Sequence, residues 1–486
     1  MKQQLLVICF LVVSIGLFAQ SKWQKAVDQF MKDPALVHAS VGICVMNNSN
    51  GKIVASYNDQ QSLIPASSLK IVTTASGLAI LGNDFRFKTT LAYDGEIDLD
   101  GVLSGNIYIQ GKGDPTLGSD VFTATPDING ILSRWGDAIQ SSGIKAISGK
   151  IVGDGSYFSS NVAIQTWQWG DIGNYYGAGA YGLNFHENLY YLRFRQAHRL
   201  KETPDISVIE PEVPGLSFRN EVKSAGARSG DNAYIYGAPY SYLRYVRGTI
   251  PIGKGLFSIK GSIPDPPYFT AFHLAKKLEE IGISSNGVAT QLQLVASKEV
   301  SKAERNIFHT HESPMLQEIV IRTNQKSINL YCESILKTIG QKRKKAGTSK
   351  AGLQALKEEW KGRGVDFSGV SLDDGSGLSP RDLVTARFMS RFLSKVSRDP
   401  KIATTFKNSL PLAGVSGILK RKFKGTAGYK KIWAKSGTLG GVRTYAGYCQ
   451  NIKGEELSFC ILVNNYKGSG GAMRKKMEQL MLQFCK

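Results

Sequence analysis

Pro65-Ala66-Ser67-Ser68-Leu69-Lys70, running into Ile71-Val72-Thr73-Thr74-Ala75-Ser76-Gly77-Leu78-Ala79, decides how this chain is read. The second part is apolar enough for a helix buried on several faces. A serine and a lysine three residues apart on a helix share one side, about one turn apart. A serine hydroxyl is a poor nucleophile at neutral pH unless a neighbouring amine removes its proton. A lysine can do this when desolvation or a second cation keeps it partly neutral. Ser67 is therefore the candidate nucleophile and Lys70 the candidate base; Ser68 has only Ile71 three residues on. Alone the pattern is weak, because Ser334-Ile335-Leu336-Lys337 repeats the spacing. The plain alternative is a helix serine with a lysine that reaches out to solvent.

The N-terminus says where the chain works. Lys2 precedes an almost entirely apolar run from Leu5 to Phe18, and Leu17-Phe18-Ala19 offers a cleavage site before Gln20. This is the pattern of a secretory signal peptide, too short for a membrane span. The expectation is an exported protein in the periplasm, soluble or peripherally associated with the envelope. Its formal net charge of +21 fits an anionic envelope. Nucleic acid is not an expected partner, since no recognition motif accompanies the charge. Cys9 lies in the leader, and Cys44, Cys332, Cys449, Cys460 and Cys485 remain, an odd number without a Cys-x-x-Cys pair. A bridge between Cys449 and Cys460 across adjacent strands is conceivable, and the sequence does not settle it.

Taken in order, residues 22–35 read as a helix. Strands follow at 39–45 and 52–57 around the turn Asn47-Asn48-Ser49-Asn50-Gly51. From 86 to 264 short strand-like runs recur between glycine turns, with an aromatic cluster of Trp167, Trp169, Tyr175, Tyr176 and Tyr181. This region offers no catalytic constellation, and His186-Glu187 reads as structural. Helical text returns at 265, and strands at 442–449 and 457–463 precede a terminal helix. The division is a leader at 1–19, a parent domain at 20–85 and 265–486, and strand-rich inserted domains at 86–264. The fold class is α+β: an antiparallel sheet with helices on its faces, interrupted by the insertion.

Two further motifs complete the first. Ser327-x-Asn329 sits between helical stretches, where a short loop can project both side chains into a cleft. Ile432-Trp433-Ala434-Lys435-Ser436-Gly437-Thr438 reads as an apolar strand ending in a polar edge. Their order matches the active-serine penicillin-recognising enzymes. The chain resembles the D-alanyl-D-alanine carboxypeptidases/endopeptidases of the class C low-molecular-mass penicillin-binding proteins. The long interval from Ser67 to Ser327 fits that group, as do Gly113-Asp114-Pro115-Thr116-Leu117 and Asp374-Gly375-Ser376-Gly377-Leu378-Ser379. Ser436 stands where threonine is commoner, and keeps the hydroxyl.

The resemblance implies a β-lactamase/transpeptidase-like parent domain acting on peptidoglycan stem peptides, with β-lactams as covalent inhibitors. It implies that Ser67 attacks, Lys70 takes the proton, Ser327 relays it and Asn329 holds Lys70 and the substrate amide. It gives Lys435 the part of a second cation beside Lys70. Ser436, Gly437 and Thr438 form the substrate-binding edge, where Ser436 and Thr438 receive the terminal carboxylate with Lys435. No cofactor is implied. No metal is expected either, since His309 and His311 have no third ligand at metal-site spacing. The competing readings are a serine β-lactamase or esterase, and a non-catalytic cell-wall-binding protein. Oligomeric state is not legible. The leader predicts a mature N-terminus near Gln20 in the exported protein, checked by intact mass; a retained N-terminus in a cytoplasmic fraction contradicts it.

Overall fold

The computed structural model describes residues 21–123 and 125–486. The leader expected at 1–19 lies outside the described residues. The parent domain is built on a five-stranded antiparallel sheet. Its order is Ile432–Leu439, Val442–Gln450, Glu456–Asn464, Ser40–Asn47, Ile53–Tyr57. The first and last parts of the chain thus meet in mid-sheet, where Cys44 lies opposite Cys460.

Both faces of this sheet are covered, so its inner strands Ser40–Asn47 and Glu456–Asn464 are buried almost throughout rather than alternating. Along Glu456–Asn464, the side chains of Leu457, Phe459, Ile461 and Val463 join one core. Cys460 and Leu462 join the other. The first core is closed by the helices Lys22–Met31 and Gly470–Phe484, through Val27, Phe30, Met477 and Phe484. The second is filled by Lys70–Leu81, Asn329–Lys344, Ser349–Gly362 and Ala386–Val396. Full burial of each large apolar side chain contributes about 1.5–3 kcal/mol.

The Lys70–Leu81 helix lies at the centre of the second core, and every residue from Lys70 to Leu78 is buried. Its Gly77 faces Ile335 of the Asn329–Lys344 helix. A Cβ there would stand 2.7 Å from Ile335 Cγ2. The glycine lets the two helices that carry Lys70 and Asn329 approach each other. Trp360 closes the far side by donating its indole N–H to Ser76 Oγ at 2.8 Å.

The insertion is larger than the sequence suggests. Its main sheet is mixed, ordered Val288–Thr290, Ile151–Asp154, Ile107–Gly111, Lys88–Tyr93, Asn306–Glu312. The helix Pro266–Glu280 and the strands Val288–Thr290 and Asn306–Glu312 therefore belong to the insertion, and the boundary moves from 264 to about 312. The sequence reading assigned this stretch to the parent domain because helical text resumes there. Burial decides otherwise: Phe269, Leu274 and Leu278 pack with Leu91, Ile109 and Ile151. A helix at Ile128–Ser141, not anticipated in strand-rich text, closes the same core through Trp135 and Ile139. The neck is a reciprocal pair: Ser313 N donates to Phe87 O at 2.9 Å and Phe87 N to Ser313 Oγ at 2.9 Å.

Cys449 and Cys460 join different cores, on opposite faces of the sheet, so no bridge can join them. All five described cysteines are buried free thiols. His309 and His311 lie on the strand Asn306–Glu312 of the insertion. Among the described residues no group of three His, Cys, Asp or Glu is placed to hold a metal ion. Nor is any described helix long and apolar enough to cross a membrane. The tight contact at Gly77 predicts that Gly77→Val destabilises the protein by about 1–3 kcal/mol through overpacking. Denaturant melting checks this, and an unchanged midpoint contradicts the close approach.

Candidate active site

Ser67 sits in a short 3₁₀ turn, Ala66–Leu69, and Lys70 opens the α-helix that follows. Ala66 is held at φ 46°, in the left-handed region. A non-glycine residue stays there only when its surroundings over-determine it. Here Gly377 packs on the Ala66 carbonyl so closely that an added Cβ would lie 2.0 Å from that oxygen. Ser68 is fully buried and donates its hydroxyl to Pro65 O at 2.7 Å, which leaves Ser67 to face the cleft.

Lys70 is fully buried, and its amine meets three oxygens. Ser67 Oγ is at 3.0 Å, Asn329 Oδ1 at 2.5 Å and the Ser376 carbonyl at 2.6 Å. Asn329 begins its helix and is itself locked, donating Nδ2–H to the Tyr176 carbonyl at 2.7 Å. Ser327 ends the preceding helix, Leu316–Lys326, in a left-handed conformation at φ 61°. That turn carries its hydroxyl to Lys435 Nζ at 2.8 Å. The same amine reaches Ser436 O at 2.8 Å.

Lys435, Ser436, Gly437 and Thr438 lie along the edge strand Ile432–Leu439, next to the turn that bears Ser67. Gly437 is what allows this. A Cβ there would stand 2.2 Å from Thr444 Oγ1 and 2.6 Å from the Pro65 carbonyl. Lys435 is buried, Ser436 is half-buried and Thr438 is exposed at the rim. The cleft between this edge, Ser67, Ser327 and Asn329 measures about 750 Å³. Its opposite wall comes from the insertion, through Asp171, Tyr176, Tyr234 and Tyr236.

Burial lowers Lys70 below the usual lysine range, while Cys332, Asp374, Glu333 and Asp382 oppose the shift. Lys435 falls further, first by burial and then by the charge of Lys70. Two ammonium groups in one dry cleft disfavour each other, and desolvation outweighs that repulsion. Of the two causes the sequence offered for a partly neutral Lys70, desolvation and a second cation, burial comes first. A buried neutral amine against a serine hydroxyl can accept its proton. The second Ser-x-x-Lys pair cannot act in this way. Ser334 is fully buried, and Lys337 bonds the carbonyls of Asn161 at 3.2 Å and Ala180 at 2.9 Å instead.

Several contributors escaped the sequence reading. The Ser376 carbonyl is a backbone group and carries no residue-type signal. Asp374 organises the loop that presents it, accepting the N–H groups of Ser376, Gly377, Leu378 and Ser379 at 2.6–3.0 Å. The only signal was the tight Asp-Gly-Ser-Gly turn. Glu333, one turn beyond Asn329, accepts Gly375 N–H at 3.0 Å from a fully buried position. Burial, with Asp374 second, pushes its carboxyl up to about 8, and burial brings Lys337 down to about 8.

Residues 23–485 match the sequence model of the D-Ala-D-Ala carboxypeptidase 3 (S13) family. The chain is 31% identical to a D-alanyl-D-alanine carboxypeptidase of Actinomadura sp. (strain R39), over 91% of this chain and 81% of that protein. It is 25% identical to D-alanyl-D-alanine carboxypeptidase DacB of Haemophilus influenzae, over 92% of this chain and 89% of that protein. The crystal structure of penicillin binding protein 4 (dacB) from Haemophilus influenzae shares the fold. It superposes with a TM-score of 0.80 at 24% identity, covering 94% of this chain and 98% of that one.

Glu333 gives a pH prediction. A carboxyl whose folded value, about 8, lies above its unfolded value of 4.5 holds its proton longer in the folded state. Its contribution to stability is complete below the unfolded value and is lost as pH rises through the folded one. Stability should therefore fall between roughly pH 4.5 and 8 from this group, and Glu333→Gln should flatten that slope. Urea midpoints across the range check it; identical slopes in both proteins contradict it.

Proposed function

The chain belongs to the D-Ala-D-Ala carboxypeptidase 3 (S13) family, and we propose that it cleaves D-Ala-D-Ala peptidoglycan stem peptides through an acyl-enzyme at Ser67. The observation that carries this reading is the buried Lys70 amine 3.0 Å from Ser67 Oγ, beside a cleft lined by Ser67, Ser327, Asn329 and Thr438. Ser67 Oγ attacks the carbonyl carbon between the two D-alanines as Lys70 Nζ takes its proton. The backbone N–H groups of Ser67 and Thr438 stabilise the oxyanion. Lys435 with the Ser436 and Thr438 hydroxyls receives the terminal carboxylate. The C–N bond then breaks, Ser327 relays a proton to the departing amine, and an ester remains on Ser67. Water hydrolyses that ester, releasing the shortened peptide as its carboxylate and restoring the hydroxyl. Carboxypeptidase action removes a terminal D-alanine, and endopeptidase action on a cross-link uses the same steps with a larger leaving group. β-Lactams acylate the same oxygen and leave slowly.

The leader at 1–19 and the location of the substrate support a place outside the cytoplasmic membrane. Ser67→Ala should abolish both covalent labelling by penicillin and release of D-alanine from muropeptides, since alanine has no oxygen to acylate. Lys70→Ala should slow acylation by roughly 10²–10⁴-fold. Ser334→Ala should label as the parent does. Peptide mapping of the adduct to any residue other than Ser67 refutes the assignment, and rapid turnover of the adduct favours a β-lactamase.

A further inference from the structure

We propose that the inserted domain orients the catalytic base, with Trp167 and the Tyr176 carbonyl fixing the two oxygens that turn the Lys70 lone pair toward Ser67. This rests on the acyl-enzyme reading above. A neutral primary amine has two N–H bonds and one lone pair. Of the three oxygens around Lys70 Nζ, two are amide oxygens and can only accept: Asn329 Oδ1 and Ser376 O. They take both N–H bonds, and the lone pair is left for the Ser67 hydroxyl. If either acceptor shifts, the amine can rotate and donate to Ser67 instead, which leaves the hydroxyl proton in place.

Both acceptors are set from the insertion. Asn329 could present either end of its amide to Lys70. Its Nδ2–H bond to the Tyr176 carbonyl, at 2.7 Å, selects the oxygen. Ser376 O belongs to the loop wound on the Asp374 carboxylate. To the four loop N–H groups on that carboxylate, Trp167 adds its indole Nε1–H at 2.7 Å from the insertion. Trp167 is 4% exposed and Asp374 fully buried, so water does not replace this donor. Beside it, the hydroxyls of Thr166 and Ser379 are bonded at 2.7 Å.

A third anchor lies two residues beyond Asn329, where the Tyr331 hydroxyl donates to Glu187. Glu187 is delivered by three successive left-handed residues, His186, Glu187 and Asn188, at φ 51°, 52° and 52°. Such strain persists only where the surroundings impose it. The Asn188 amide does so, bonding Gly179 O at 2.9 Å, Asn184 Oδ1 at 2.8 Å and Phe185 N at 3.0 Å. The insertion therefore grips the Asn329 helix and the Ser376 loop together, the two elements that supply the acceptors of Lys70. Trp167 is a positioning residue: it touches neither Ser67 nor Lys70.

Trp167→Phe keeps a ring in the pocket and removes only the donor. The experiment measures penicillin acylation of the full-length mature protein from pH 5 to pH 10, with reversible binding and the thermal transition recorded alongside. Lys276→Ala, which breaks an exposed ion pair with Glu212 in the same domain, is the control. For Trp167→Phe the acylation rate should fall about tenfold, on the order of the net worth of one buried hydrogen bond. Reversible binding should stay unchanged. The acid limb should move to higher pH, because a loosened loop admits water to Lys70 and favours its protonated form. Lys276→Ala should match the parent. A folded Trp167→Phe protein with the parental rate and limb overturns the proposal. If that variant does not fold, Thr166→Val decides by the same measurement, with a slower rate and the same direction of limb shift expected and parental behaviour overturning it. A parent protein that is never acylated at Ser67 refutes the functional reading itself. A parent acylated normally, beside indifferent variants, refutes only the role of the insertion.

Discussion

Lys70 must be dry and still have its proton positions defined, and much of the parent domain follows from that constraint. An amine in water is charged and points nowhere in particular. Buried, it loses hydration, its affinity for a proton falls, and every nearby oxygen becomes a directional partner. The Lys70–Leu81 helix is accordingly sunk in the core, with Gly77 thinned to let the Asn329 helix close over it. Asn329 and Ser376 then supply the two acceptors a neutral amine can satisfy.

The same interior holds more ionisable groups than an ordinary core. Lys70, Lys435, Glu333, Lys337, Asp374 and Asp382 are all buried. Full charge on each would be costly, because desolvation of an unpaired ion amounts to several kcal/mol or more. The shifts run toward neutrality: the lysines are lowered, and Glu333 and Asp382 are raised. Asp374 is surrounded by N–H donors from its own loop and from Trp167, which suits an acceptor-only group. Amines shifted down, carboxyls shifted up and a carboxylate solvated by backbone N–H groups coexist where six free charges would not.

The insertion and the parent domain divide the site between them. Ser67, Ser327 and the Lys435–Thr438 edge come from the parent. The opposite wall comes from the insertion, through Asp171, Tyr176, Tyr234 and Tyr236. It has its own mixed sheet and core, and the paired hydrogen bonds between Phe87 and Ser313 close its neck. The cleft therefore lies between two separate cores joined by buried polar contacts.

The sequence by itself determined the three motifs and their order, because chemistry-bearing residues must appear as particular side chains at particular spacings. It also determined the terminal strands, the terminal helices and the buried helix after Lys70, through apolar runs and turn residues. The limit of the insertion was not legible: Pro266–Glu280 reads as a helix in either domain, and only packing against Leu91 and Ile109 assigns it. The choice of Ser67 over Ser334 rested on motif order in the sequence; burial and the partners of Lys337 give the physical reason. Backbone acceptors such as Ser376 O and Tyr176 O carry no residue signature. Every residue has a carbonyl, and only the tertiary structure decides which ones point at Lys70 and Asn329.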